Sequence, residues 1–206
     1  MRIYFDGCSW TKGEELENQK EERFSRLVAN HFDAEEYNIA IKGGSNDRII
    51  RNLIIENNIE NYDFAVIQMT FPSRTEYWEG EWVKVSGKHH YNTWLYKDKG
   101  MTKEKLGEKF REKFKNHKEF WIYYYMHVAD QKYFENKEKI QYETIKSYCK
   151  SKNVPLVLCS INNWSKLDFD VSMDSRDLKK HWYGHPTKEG HQVIANKIMK
   201  YIKNTL

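Results

Sequence analysis

The sequence predicts a single α/β domain: a three-layer α/β/α sandwich around a mainly parallel sheet of four or five strands. Three observations carry that prediction. Short apolar runs alternate with longer stretches of helical periodicity. The run Asp63-Phe64-Ala65-Val66-Ile67-Gln68-Met69 is almost continuously apolar, as a strand covered on both faces must be. And 206 residues suffice for one well-buried core but leave little room for two.

Residues 2–5 form the first strand candidate, and Asp6-Gly7-Cys8-Ser9 is turn-like. Residues 15–32 carry Leu16, Phe24, Leu27, Val28 and Phe32, at helical spacing over the second half. Residues 37–41 read as a second strand, closed by Gly43 and Gly44. Ser45 can cap the next helix, whose Ile49, Ile50, Leu53 and Ile54 share a face. Residues 63–69 are the third strand.

From residue 70 to about 118 no period persists. Trp78, Trp82 and Trp94 lie scattered among charges, with turns at Gly80 and Gly87. Residues 71–118 therefore read as an aromatic-rich insertion or cap on one domain spanning residues 1–206. Helical pattern returns over residues 119–150, and residues 154–161 form another buried strand. Residues 187–202 place Val193, Ile194, Ile198, Tyr201 and Ile202 on one helical face.

Composition narrows the function. An aromatic content of 15% argues against disorder despite 31% charged residues. No apolar run approaches the roughly 20 residues of a membrane span. The N-terminal MRIYFDGCS lacks the pattern of a secretory leader, and Cys8, Cys149 and Cys159 have no paired spacing. A reduced, cytoplasmic protein is expected. The net charge of +4 comes from interleaved signs, which disfavours a nucleic-acid partner; residues 97–118 read as a solvated helical face. His89, His90 and His117 lack acids or cysteines at ligand spacing, so no metal site is expected. The oligomeric state is left open.

In such a sheet, ligands sit beyond the carboxyl ends of the strands. Ser9 follows the first strand, Gly43 to Asn46 the second, and Thr70 to Glu76 the third. His185 stands at the entrance of the last helix. A hydroxyl and an imidazole so placed can converge for nucleophilic catalysis. Alone, Ser9 reads equally as a helix cap, Cys8 as a structural thiol and His191 as a packing residue.

Gly7-Cys8-Ser9-Trp10-Thr11-Lys12-Gly13 resembles Gly-Asp-Ser-x-Thr-x-Gly, the first block of the SGNH (GDSL-like) hydrolase superfamily, with Cys8 replacing the aspartate. Asn38 through Gly43 resembles the second block. His185-Pro186-Thr187-Lys188-Glu189-Gly190-His191 resembles the final block. The resemblance implies a flavodoxin-like strand order, 2-1-3-4-5. It implies Ser9 as nucleophile, His185 as general base, and the Ser9 and Gly43 amides as oxyanion donors. The implied activity is an esterase, acetyl-ester deacetylase or acyl transferase working through an acyl-serine on a small-molecule or carbohydrate ester, without a cofactor.

Two departures stand out. The family's block-three asparagine is absent from Gln68-Met69-Thr70-Phe71-Pro72-Ser73-Arg74, leaving Thr70, Ser73 or Arg74 as substitute donors. The usual acid just before the histidine is replaced by Trp182 and Tyr183, so a backbone carbonyl, Asp174 or Asp177 would have to orient His185. Asn46, Trp78, Trp82 and Trp94 are the expected substrate contacts, the tryptophans by stacking on sugar. The alternative reading is a catalytically degenerate module that binds carbohydrate or another ligand without hydrolysis.

Overall fold

A computed structural model describes residues 1–78, 81–85, 124–125, 129–161, 165–173, 178 and 184–205, leaving aside the side chains of Trp78 and Val83. The expectations for Gly80, Gly87, Trp94, the histidines at 89, 90 and 117, Asp174, Asp177 and the helical face at 97–118 lie outside these residues.

Strand β1 (Arg2–Asp6) is central, with β2 (Glu35–Asn38) on one side and β3 (Phe64–Met69) on the other. Two hairpin strands, β4 (Thr75–Trp78) and β5 (Trp82–Val85), pair antiparallel in a separate sheet. Beyond β3 the main sheet continues with β6 (Leu156–Ser160) and β7 (Val171–Ser172). The order is β2-β1-β3-β6-β7, and every pairing in it is parallel. Counted within the main sheet this is 2-1-3-4-5, as the resemblance implies.

Helices cover both faces. In chain order they are α1 (Ser9–Lys12), α2 (Gln19–Glu22), α3 (Phe24–His31), α4 (Asn46–Arg51), α5 (Gln131–Ser151) and α6 (Lys188–Thr205). Successive strand side chains point to opposite faces. Ile3, Phe5, Phe64, Val66, Val157 and Cys159 meet Phe24 and Val28 of α3 and Ile194 and Ile198 of α6. Tyr4, Ala65, Ile67, Met69 and Leu158 meet Ile49 of α4 and Ile145 and Cys149 of α5. The unbroken apolar runs of β3 and β6 thus feed two cores at once. Each fully buried large apolar side chain contributes roughly 1.5–3 kcal/mol.

The structure corrects several expected boundaries. The second strand is residues 35–38, not 37–41. Its pairing with β1 begins at Glu35 opposite Arg2, and Asn38 ends it by accepting the Ala40 N–H on Oδ1 at 3.0 Å. An apolar pattern could not reveal this strand, because Glu36 is held inside by ion pairs to Arg23 and Arg26. The helical stretch at 15–32 divides into α2 and α3 where Arg23 turns extended (φ −68°, ψ 146°). Arg23 is fixed there by a two-pronged contact to Glu36, 2.8 Å at each prong. Within the stretch read as lacking regular structure, β4 and β5 form a regular hairpin. Among the described residues, no helix is long and apolar enough to cross a membrane.

Candidate active site

The site is built where β1 leaves the sheet. Asp6 is fully buried, accepting hydrogen bonds from the Gly7 N–H (2.7 Å), Arg48 Nη1 (2.8 Å), Asn52 Nδ2 (2.8 Å) and the Tyr4 hydroxyl (3.3 Å). Burial pushes its carboxyl up from the ordinary range, and the Arg48 guanidinium opposes that push. Arg48 also donates to the Ile39 carbonyl at 2.6 Å, tying the end of β1 to the loop after β2.

The next turn is tight. A Cβ on Gly7 would lie 2.3 Å from Thr11 Oγ1 and 2.8 Å from Gln68 Oε1, so only glycine fits. Gln68, buried on β3, accepts the Cys8 N–H (3.2 Å), the Cys8 thiol (3.3 Å) and the Thr11 hydroxyl (2.9 Å) on one amide oxygen. Sequence reasoning gave Gln68 no role; a lone polar residue inside an apolar strand was the available signal. Cys8 is a buried structural thiol, and Ser9 opens α1.

The second loop presses on this turn. A Cβ on Gly44 would stand 2.7 Å from the Gly7 carbonyl oxygen, which places residues 41–44 against the turn that carries Ser9. Gly43 is its half-buried neighbour, at φ +69°. Lys42 pairs with Glu14 at 2.8 Å, and Asn38 Nδ2 donates to the Thr11 carbonyl at 2.9 Å, so both loops are cross-tied.

From the far end of the chain comes His185. Its Nε2 lies 2.9 Å from Ser9 Oγ. Its Nδ1 lies 3.0 Å from Glu15 Oε1, within ion-pair reach but too far off the ring N–H line to make an aligned hydrogen bond. The two side chains are only 17% and 26% exposed. Glu15 adopts φ +73°, a left-handed conformation that costs a non-glycine residue on the order of 1–3 kcal/mol. The sequence offers a backbone carbonyl, Asp174 or Asp177 to orient His185, and both aspartates lie outside the described residues. Among the described residues the carboxylate at His185 is instead Glu15, in the loop that follows Ser9.

The other expected site residues are placed as follows. Asn46 is fully buried and braces the third loop: Nδ2 donates to the Thr70 carbonyl and to Gln141 Oε1, both at 3.0 Å, while Oδ1 accepts the Thr70 N–H at 2.8 Å. Its amide thus makes three hydrogen bonds within the protein, two to Thr70 and one to Gln141. Thr70 is buried and accepts Arg74 Nη1 on its hydroxyl oxygen at 2.6 Å. The Arg74 guanidinium lies over the Phe71 ring, 5.1 Å from its centroid, and the Ser73 carbonyl accepts the Tyr125 hydroxyl. Trp82 is 45% exposed on β5, with the Arg51 guanidinium 4.8 Å from its ring centroid. Lys84 of the same strand donates to the Lys42 carbonyl at 3.0 Å, bringing the hairpin to the edge of the second loop.

A hydroxyl in reach of an imidazole, at the carboxyl end of a central parallel strand and beside a glycine loop, is equipped for acyl transfer. No protein-family model and no curated protein matches the sequence. Solved structures do. The psychrotrophic esterase EstA from Pseudoalteromonas sp. is similar over 98% of this chain and 97% of its own, with a TM-score of 0.54 at 11% identity. A carbohydrate esterase whose active site has divergent catalytic and non-catalytic binding functions gives 0.56 at 12% identity over 99% of this chain. A family two carbohydrate esterase from Clostridium thermocellum, in complex with cellohexaose, gives 0.50 at 15% identity over 98%. The chain spans under two thirds of those last two, 65% and 63%. At these identities the likeness establishes the fold.

Proposed function

We propose that this chain is a divergent SGNH-type ester hydrolase that works through an acyl-Ser9 intermediate. The observation that carries the reading is the 2.9 Å approach of His185 Nε2 to Ser9 Oγ at the carboxyl end of β1. Ser9 Oγ bonds to the ester carbonyl carbon while its proton passes to Nε2. The tetrahedral adduct collapses, the bond to the alkoxy oxygen breaks, and Nε2 returns the proton to the leaving alcohol. Water then attacks the acyl-serine, again giving its proton to Nε2. Collapse breaks the bond between the acyl carbon and Oγ, Nε2 returns the proton to Oγ, and the acid leaves.

The oxyanion is held by the Ser9 and Gly43 amides. A side-chain donor from Thr70, Ser73 or Arg74 replaces the family's asparagine, and Arg74 has the strongest case. Its guanidinium is half-buried, always charged and carries five donors, one of them already on Thr70. Loss of one oxyanion donor commonly costs about 3–4 kcal/mol of transition-state stabilisation, so a substitute matters. The substrate is a small-molecule or carbohydrate ester; the cap expected over residues 71–118 falls mostly outside the described residues. The exposed Trp82 ring supports a sugar-stacking role.

Turnover of a short-chain aryl ester tests the reading. Ser9→Ala and His185→Ala should each lower kcat by at least about 10³-fold with unchanged thermal midpoints, and the double variant should be scarcely worse. Turnover unchanged in Ser9→Ala would overturn it. Sugar binding without hydrolysis would favour the silent binding module.

A further inference from the structure

The positions before His185 at which the SGNH resemblance places an acid are Trp182 and Tyr183, neither of which can carry a carboxylate charge. We propose that Glu15 is the positioning residue for His185. Its carboxylate faces Nδ1, holds the ring with Nε2 toward Ser9, and stabilises the imidazolium formed when the Ser9 proton moves. The inference rests on the hydrolase reading and gives it a partner from the opposite end of the chain.

Four observations converge on Glu15. Its Oε1 stands 3.0 Å from Nδ1, while the other ring nitrogen stands 2.9 Å from Ser9 Oγ, so one imidazole bridges the two. Both side chains are mostly sheltered, where opposite charges attract more strongly than in open water. The neighbouring Glu14 is already taken by Lys12 (3.3 Å) and Lys42 (2.8 Å), so of the two adjacent carboxylates it is Glu15 that meets His185 among the described residues. Finally, among the described residues Glu15 Oε2 and His185 Nδ1 are both buried without an aligned hydrogen bond. Buried polar atoms in that condition are uncommon and call for an explanation, a catalytic role being one. Catalytic contacts are often poorly aligned until the reacting complex forms.

The backbone explains how the carboxylate is delivered. The Ser9 carbonyl accepts N–H groups from both Gly13 (3.1 Å) and Glu14 (2.9 Å), and the following Leu16 is buried. The residues just before Glu15 are therefore tied to the Ser9 backbone, and Glu15 itself takes a left-handed φ. Ser9 and Glu15 come from one short segment, and the His185 ring lies between them. In the reaction the Nδ1 proton stays on the ring, the Ser9 proton shuttles on Nε2, and Glu15 remains ionised throughout.

Two variants and one spectrum test the proposal. Glu15→Gln keeps the shape and removes the charge; kcat for an aryl ester should fall about 10²–10⁴-fold with KM within about threefold. Glu15→Gly suits the left-handed backbone, so its thermal midpoint should hold or rise while kcat falls by a similar factor. Nitrogen-15 NMR of the His185 ring, assigned against His185→Asn, should find the neutral ring protonated on Nδ1 in the wild type and a tautomer mixture in Glu15→Gly. Wild-type kcat in both variants, or a ring protonated on Nε2 in the wild type, would overturn the role of Glu15 while leaving the Ser9 reading intact. The reverse pattern is also distinct: an Nδ1–H held by Glu15 in a protein with no Ser9-dependent turnover would sink the hydrolase reading alone.

Discussion

Ser9 Oγ and His185 Nε2 stand 2.9 Å apart although 176 positions separate them in sequence. Two seats bring them together. Ser9 rides on the turn clamped by Gln68, and His185 stands three residues ahead of α6, whose register is set by packing against α3. His191, fully buried one turn inside α6, accepts the Phe24 N–H on Nδ1 at 3.1 Å and stacks on the Phe24 ring. Lys188 pairs with Glu22 at 2.8 Å on the surface of the same junction.

Removing the buried histidine should unseat the base. His191→Ala leaves a cavity and orphans the Phe24 N–H, for a loss of roughly 2–4 kcal/mol. Urea unfolding reads that loss, and kcat should fall with it although His191 touches no substrate. Wild-type stability in this variant would contradict the packing role.

Gln68→Leu tests the other seat. It removes the acceptor for the Cys8 N–H and the Thr11 hydroxyl while keeping the strand apolar. Stability should drop by roughly 1–3 kcal/mol and kcat at least tenfold, with KM little changed.

Trp82→Ala separates substrate classes. If the exposed ring stacks on sugar, KM for an acetylated oligosaccharide should rise several-fold while KM for a small aryl ester stays put. Equal effects on both would place Trp82 in hairpin packing, through its contact with Arg51.

Alkaline stability reports the sheet edge. Tyr201 donates to Asp170 Oδ1 at 2.6 Å; that bond, and then burial, pushes its phenol up to about 12. An unfolded tyrosine releases its proton near pH 10, whereas the folded one keeps it to about 12. The folded state then holds more protons across that window, so this group's contribution is complete below pH 10 and is lost as pH rises toward 12. The urea midpoint of Tyr201→Phe should therefore decline less steeply than the wild type's over that range.

The main sheet was legible because β3 and β6 must be apolar on both faces, and the capping hydroxyl of Ser45 marked α4 as it should, accepting the Arg48 N–H at 3.1 Å. The β2 boundary was hidden because an edge strand can bury Glu36 against two arginines, which no hydropathy pattern records. Ser9 and His185 were readable from their places at a strand end and a helix start. Glu15 was not, since its position depends on a left-handed backbone and on His185 arriving from the other terminus. The brace made by Asn46 was hidden for a related reason: its partner Gln141 is 95 positions away.

The most direct test of the central claim is labelling with a fluorophosphonate, followed by mass spectrometry of the modified peptide. An activated hydroxyl attacks phosphorus, expels fluoride and keeps the adduct. The adduct should sit on Ser9, vanish in Ser9→Ala and form far more slowly in His185→Ala. Intact wild-type protein left unmodified, or labelled equally well after loss of either residue, would contradict the claim that Ser9 is an activated nucleophile.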